Sequence, residues 1–127
     1  MGRILVLDDV LDAGVMIKRI LERKGHQVAV FTDEQEALRY AASSPVEVAI
    51  LDIRLKNMSG VDVLEELKKI SPRTQVIMLT GYPTLETARQ AEAWGAFDYC
   101  AKPIDKDELE EKVAAALAAG AASVKSA

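Results

Sequence analysis

Short runs of apolar residues recur along the chain, separated by longer stretches of mixed polarity. The runs are Ile4–Leu7, Gln27–Phe31, Val46–Leu51, Gln75–Leu79 and Phe97–Ala101. ILVL, VAIL and VIML within them are continuous rather than alternating. A strand covered on one face alternates apolar and polar positions, whereas a continuous aliphatic run suits a strand buried on both. Between the runs the apolar residues follow helical spacing. Ala13, Ile17, Ile20 and Leu21 share one helix face, as do Val63, Leu67 and Ile70, and Leu109, Val113, Ala116 and Leu117. Thr32-x-x-Gln35, Ser59-x-x-Asp62 and Asp105-x-x-Glu108 have the form of capping boxes at helix starts. Gly25 and Gly95 suit helix ends, and Pro83 suits an early position in the fourth helix.

Strict strand–helix alternation predicts an α/β fold with right-handed crossovers and helices on both faces of a parallel sheet. Its expected form is a flavodoxin-like, doubly wound (βα)5 domain with a five-stranded sheet in the order 2-1-3-4-5. A barrel needs eight units and roughly twice this length. The domain is expected over residues 1–118. Residues 119–127, within the small and polar run AAGAASVKSA, read as a frayed end or a linker stump. The fourth helix offers only Thr84, Ala88 and Ala91 as a buried face, so it is weakly anchored and a candidate moving element.

Composition narrows the setting. The 127 residues are 50% hydrophobic, enough for one substantial core. Cys100 is the single cysteine, which excludes an internal disulfide and a Cys-based zinc site. No apolar run approaches the ~18 residues of a membrane span, and the N-terminal residues lack a secretory pattern. These features favour a cytoplasmic protein. Net charge is −4, with Lys and Arg scattered. A nucleic-acid surface concentrates basic residues to displace counterions from phosphates, so neither direct DNA binding nor membrane attachment is expected.

Parallel strands all end at one edge of the sheet, and in such folds ligands bind there. The strands are followed by Asp8-Asp9, Thr32-Asp33, Asp52, Thr80-Gly81 and Lys102-Pro103. With strands 1 and 3 adjacent, Asp8, Asp9 and Asp52 crowd together, opposed by Lys102. Two like charges ~4 Å apart repel by about 4 kcal/mol at an effective dielectric of ~20. Either some carboxylates hold protons or a divalent cation sits among them. Oxygen ligands without His or Cys favour a hard ion, Mg²⁺ in particular. The same edge suits a phosphoryl group: Lys102 supplies positive charge, Thr80 a hydroxyl donor, and Gly81 room for oxygens. Asp52, central among these groups, is the expected nucleophile, since a carboxylate can attack phosphorus to form an aspartyl phosphate.

LDDV, LDIRLKNMSG, MLTG and AKPI, in this order and spacing, resemble the signature segments of the response-regulator receiver domain of two-component signalling. The resemblance covers about residues 2 to 118. It implies that Asp8, Asp9, Asp52 and the main-chain carbonyl of Arg54 hold Mg²⁺. It further implies that Asp52 accepts a phosphoryl group from a sensor histidine kinase or a small donor such as acetyl phosphate. Lys102 would contact that group and Thr80 would swing toward it. Tyr99, three residues before Lys102, matches the switch aromatic that turns inward as Thr80 moves. The Lys102–Pro103 bond is typically cis in this family.

Members use the surface of the fourth helix, fifth strand and fifth helix to contact an output domain or partner, or to form a homodimer. Their chemistry is confined to their own phosphorylation and dephosphorylation, so the chain is not expected to be an enzyme. LTGYPTLETARQAEAWGAFDYCAKPI resembles the NtrC-like class in particular, which usually carries an ATPase and a DNA-binding domain. A receiver excised from such a regulator, or a free-standing one, is implied, and the tail favours the first. The chain departs from the family at Lys56, where Pro is frequent. Arg54 and Tyr82 are large residues flanking the site and are expected to shield an aspartyl phosphate from water.

Other residues invite plainer readings. Asp12 reads as capping or lining the first helix rather than binding metal, Asp33 as a capping or surface residue, His26 as a surface histidine, Cys100 as core, and Trp94 as packing at the end of the fourth helix. Three rival functions fit the sequence less well. A Mg²⁺-dependent phosphatase would want an acid/base carboxylate where Arg54 stands. A flavin binder would want a Ser/Thr/Gly-rich loop in place of DDVLDAG. A structural domain that has lost phosphorylation would not be expected to retain the complete acidic set and Lys102.

Overall fold

Every residue of the first apolar run is buried, but alternate side chains leave the strand in opposite directions. Ile4 and Val6 pack with Ile17 and Leu21 on one side, and Leu5 and Leu7 with Leu38, Val63 and Leu64 on the other. Two apolar layers therefore sandwich one sheet, as the continuous runs require. A computed structural model describes residues 2–55, 59–81 and 85–126, without the side chains of residues 87, 88, 91 and 122–126.

The elements are β1 (Arg3–Leu7), α1 (Leu11–Glu22), β2 (Gln27–Phe31), α2 (Glu34–Ser43), β3 (Val48–Asp52), α3 (Gly60–Ile70), β4 (Gln75–Thr80), α4 (Leu85–Ala93), β5 (Asp98–Ala101) and α5 (Lys106–Ser126). All pairings are parallel and the strand order is β2-β1-β3-β4-β5, as expected. Helices α1 and α5 contribute to one apolar layer, and α2 and α3 to the other. Strand β3 is buried along its whole length, ending with Asp52.

The capping expectations divide. Ser59 forms a full capping box with Asp62, and Asp105 accepts the Glu108 N–H at 2.9 Å. At α2 the cap is Asp33, which accepts the Glu36 N–H, rather than Thr32. The motif was misplaced by one residue because Asp is as good a cap as Thr. Gly25 and Gly95 both have φ of 87°, the left-handed region that glycine enters without cost.

Ile70 also departs from expectation. It is 40% exposed, and Leu64 joins Val63 and Leu67 in the core instead. Ile70 is the last residue of α3, where the helix has run past the layer it packs on. Helix α5 continues to Ser126, so the backbone of 119–126 is helical rather than frayed. Its Ala-rich composition suits a helix, since Ala has the highest helix propensity. Lys56, Tyr82, Pro83 and Thr84, together with the side chains of Ala88 and Ala91, lie outside the described residues. Among the described residues, no helix is long and apolar enough to cross a membrane.

Candidate functional site

The alternation that builds the two layers also aims the site. Asp8 continues the Ile4–Val6 side of β1, Asp52 the Val48–Ile50 side of β3, and Lys102 the Cys100 side of β5. With β1 and β3 paired, the two carboxylates meet at the end of the sheet. Strand β4 lies between β3 and β5, so the long stem of Lys102 crosses the end of β4 to reach them. Its Nζ donates to Asp8 Oδ2 at 3.0 Å and to Asp52 Oδ2 at 2.9 Å. Asp8 is fully buried and Asp52 is 7% exposed.

The remaining carboxylate oxygens are held by the chain itself. Asp8 Oδ1 accepts the Val10 N–H at 2.9 Å, and Asp52 Oδ1 accepts the Arg54 N–H at 3.0 Å. These local bonds fix both side chains as their strands end. Oxygens of Asp8, Asp9 and Asp52 lie within 4.8 Å of one another. Three carboxylates against one ammonium leave a formal charge of about −2, which a divalent cation would balance. The donor set is entirely oxygen, so the residues present fit a hard divalent ion.

Burial pushes the Asp52 carboxyl above its ordinary range. The Lys102 hydrogen bond and the Arg54 N–H oppose that shift without cancelling it, and the Asp8 charge adds to it. For Lys102, burial works against the ammonium, but the hydrogen bonds and charges of Asp52 and Asp8 outweigh it and raise its pKa. Lys102 therefore remains charged throughout the physiological range.

Asp9, Asp52, Ile53, Arg54, Thr80, Gly81 and Lys102 line one open cleft of about 410 Å³. Thr80 is buried at the end of β4, and its carbonyl accepts the Lys102 N–H at 2.8 Å. Gly81 is exposed, with nothing within 4 Å of the place a Cβ would occupy. Pro103 is exposed and follows a cis peptide bond, as the resemblance implied. Tyr99 does not line the cleft. It sits opposite Met78 in the β4–β5 register and packs against the layer that holds α2 and α3.

Most of the plainer readings agree with the structure. Asp12 is exposed in the first turn of α1, and Trp94 packs just beyond α4 against the same layer as Tyr99. His26 is half-buried rather than fully on the surface, and its Nδ1 accepts the Gly2 N–H at 3.1 Å. Cys100 is core, with burial pushing its thiol up to about 11. At neutral pH it is a protonated packing residue, not a nucleophile.

One residue at the site escaped sequence reasoning. Gly60, the first residue of α3, packs directly on the backbone that ends β3. A Cβ there would fall inside contact distance of the Asp52 carbonyl oxygen and 2.8 Å from Ile53 Cα. The Gly60 N–H also donates to the Ile53 carbonyl at 2.8 Å. The available signal was a glycine, the poorest helix former after proline, placed just inside a well-capped helix.

The model of the response regulator receiver domain family matches residues 4–114. The transcriptional regulatory protein ZraR of Escherichia coli K12 is 33% identical over 115 residues, covering 91% of this chain and 26% of that protein. A putative NtrX-like response regulator of Rickettsia bellii is 39% identical over 108 residues, covering 84% of this chain and 23% of that one. The chain thus spans about a quarter of the length of such relatives. Among solved structures, a CheY-like receiver domain protein from Methanospirillum hungatei superposes with a TM-score of 0.90 at 32% identity, covering 97% of this chain and 98% of that one. NtrX from Brucella abortus, solved with ATP, gives 0.92 at 31% identity, covering 98% of this chain and 28% of that one. Matched along nearly its whole length in both sequence and fold, the chain belongs to the response regulator receiver domain family.

Proposed function

We propose that the chain is a phosphorylation-operated switch with Asp52 as the phosphoacceptor. The observation that carries this reading is the single ammonium of Lys102 shared between Asp8 and Asp52 at the mouth of the cleft. A carboxylate oxygen of Asp52 attacks phosphorus as the bond to the donor breaks. The leaving group, the imidazole of a kinase phosphohistidine or acetate from acetyl phosphate, takes the bonding electron pair. As negative charge moves from the carboxylate to the phosphoryl oxygens, Lys102 follows it, retaining Asp8 as a second anchor. Thr80 offers its hydroxyl to the new oxygens, and Gly81 leaves them space. Asp8, Asp9, Asp52 and the main-chain carbonyl of Arg54 would hold Mg²⁺, which when bound screens the carboxylates and neutralises charge on the transferring group.

A sensor histidine kinase is the proposed donor, and an output domain or partner protein the proposed reader. Tyr99 and Thr80 would relay the change to the surface formed by α4, β5 and α5. That face would contact the reader or a second copy of the chain. Residues 1–118 form the proposed receiver unit, with 119–127 leading away from it. The relatives include transcriptional regulatory proteins, so control of transcription through such an output is the reading for this chain.

Intact-mass measurement after incubation with acetyl phosphate and Mg²⁺ tests the proposal. One phosphoryl group should add to the parent and none to Asp52→Asn. A parent that gains no mass under conditions that label other receivers would overturn it.

A further inference from the structure

Lys112 lies one turn beyond Glu108 on α5, and its ammonium reaches the β5 edge of the sheet. Nζ donates to the main-chain carbonyl of Tyr99. It also sits 5.1 Å from the centre of the Tyr99 ring, within reach of the negative ring face. Glu108 Oε1 is 3.0 Å away and Asp98 Oδ1 is 3.7 Å away. Asp98 Oδ1 in turn accepts the Tyr99 N–H at 2.7 Å. Both main-chain polar groups of Tyr99 and its aromatic face are thus engaged by one cluster, whose cation among the described residues is Lys112.

Surface ion pairs on a helix are ordinarily worth little. Lys106–Glu110, on the same helix, is such a pair, with the Lys106 side chain 54% exposed. Lys112 differs in kind. Its side chain is only 24% exposed, and its partners lie on two elements, with one residue approached at two different groups. Burial works against its charge, but Glu108, Asp98 and the rest of its surroundings raise its pKa, so the ammonium persists at neutral pH.

We propose that Lys112 is a positioning residue, an ammonium latch that holds the Tyr99 ring in the arrangement described and sets how readily that ring moves when Asp52 is phosphorylated. This rests on the reading of Tyr99 as the switch aromatic. Displacing the ring breaks its contact with the ammonium, so removing the charge favours the displaced arrangement. A cation over a partly exposed ring is worth about a two- to fivefold change in such an equilibrium.

The test uses the whole chain with fluorotyrosine incorporated, followed by ¹⁹F NMR, with the Tyr99 resonance assigned from Tyr99→Phe. In Lys112→Met the Tyr99 resonance should move toward its position in the phosphorylated parent. Lys112→Arg, which keeps a cation for the ring, should return it, and the Tyr40 resonance should stay in place. Lys112→Gln, polar but uncharged, should behave as Lys112→Met does and serves if the methionine variant folds poorly. An unmoved Tyr99 resonance in the uncharged variants overturns the latch. If it moves in those variants while phosphorylation leaves it in place in the parent, Lys112 holds the ring, but the switch role of Tyr99 and the control of that switch by Lys112 both fall.

Discussion

Burial makes the charge on Asp52 costly, and a pH dependence follows from it. Its pKa in the metal-free fold lies above the ordinary aspartate value of about 3.9, because burial outweighs Lys102 and the Arg54 N–H. The folded chain therefore binds that proton more tightly than the unfolded chain does. The resulting stabilisation is fully present below the unfolded value and is lost as pH rises through the folded one. At neutral pH the ionised carboxylate costs stability. Asp52→Asn should accordingly melt above the parent in EDTA at pH 7, and the gap should narrow toward pH 4. Thermal melts at both values decide the matter. A lower melting temperature for the variant at pH 7 would mean that Lys102 contributes more than burial removes.

At the scale of elements, the start of α3 separates helix stability from site geometry. Ser59→Ala removes the capping box and should cost about 1 kcal/mol in urea denaturation. It should leave the rate of labelling by acetyl phosphate close to the parent's, because the Ser59 hydroxyl accepts from Asp62 of α3, while the bridge from Ser59 to Arg54 runs through the backbone. Gly60→Ala forces a methyl group against the Asp52 carbonyl and should cost about 1–3 kcal/mol, as overpacking does. The backbone of Asp52, the proposed nucleophile, must then shift, so labelling should slow as well. Parental labelling in Gly60→Ala would show that the loop absorbs the methyl without moving Asp52.

The same elements show what could be read from the sequence. Continuous aliphatic runs marked the strands, and alternation with helical stretches gave the sheet order, because handed crossovers leave few topologies. The polar residues at the strand ends were legible for the same reason: strand direction alone brings Asp8, Asp52, Thr80 and Lys102 to one edge. Gly60 and Lys112 were not legible. Their roles depend on which backbone packs beneath a helix start and which ring lies under a side chain, and neither leaves a periodic trace. Ile70 was misjudged because helical spacing gives a direction around the axis but not where the covering layer stops.

For the molecule as a whole, the proposed metal binding would be linked to folding. An ion that binds only the native state adds RT ln(1 + [L]/Kd), about 2.7 kcal/mol at a concentration 100-fold above Kd. In a domain of this size about 1 kcal/mol moves the melting temperature by roughly 4 °C. Mg²⁺ at that level should therefore raise it by roughly 10 °C. EDTA should reverse the rise, and Asp9→Ala should lose most of it. The metal-free Asp9→Ala protein should melt at or above the metal-free parent, since one repulsive charge is gone. No response of the parent to Mg²⁺ in differential scanning calorimetry would contradict the carboxylate cluster as a cation site.

The reach of Lys102 has a consequence for quality control. Its two ion pairs close separations of 94 and 50 residues along the chain. They exist only when β1, β3 and β5 stand in their places in one sheet. On the proposed reading, a nascent, misfolded or cleaved chain therefore lacks the arrangement that would accept a phosphoryl group. Such a switch would proofread itself, because a chain that has not finished folding could not be charged with a signal.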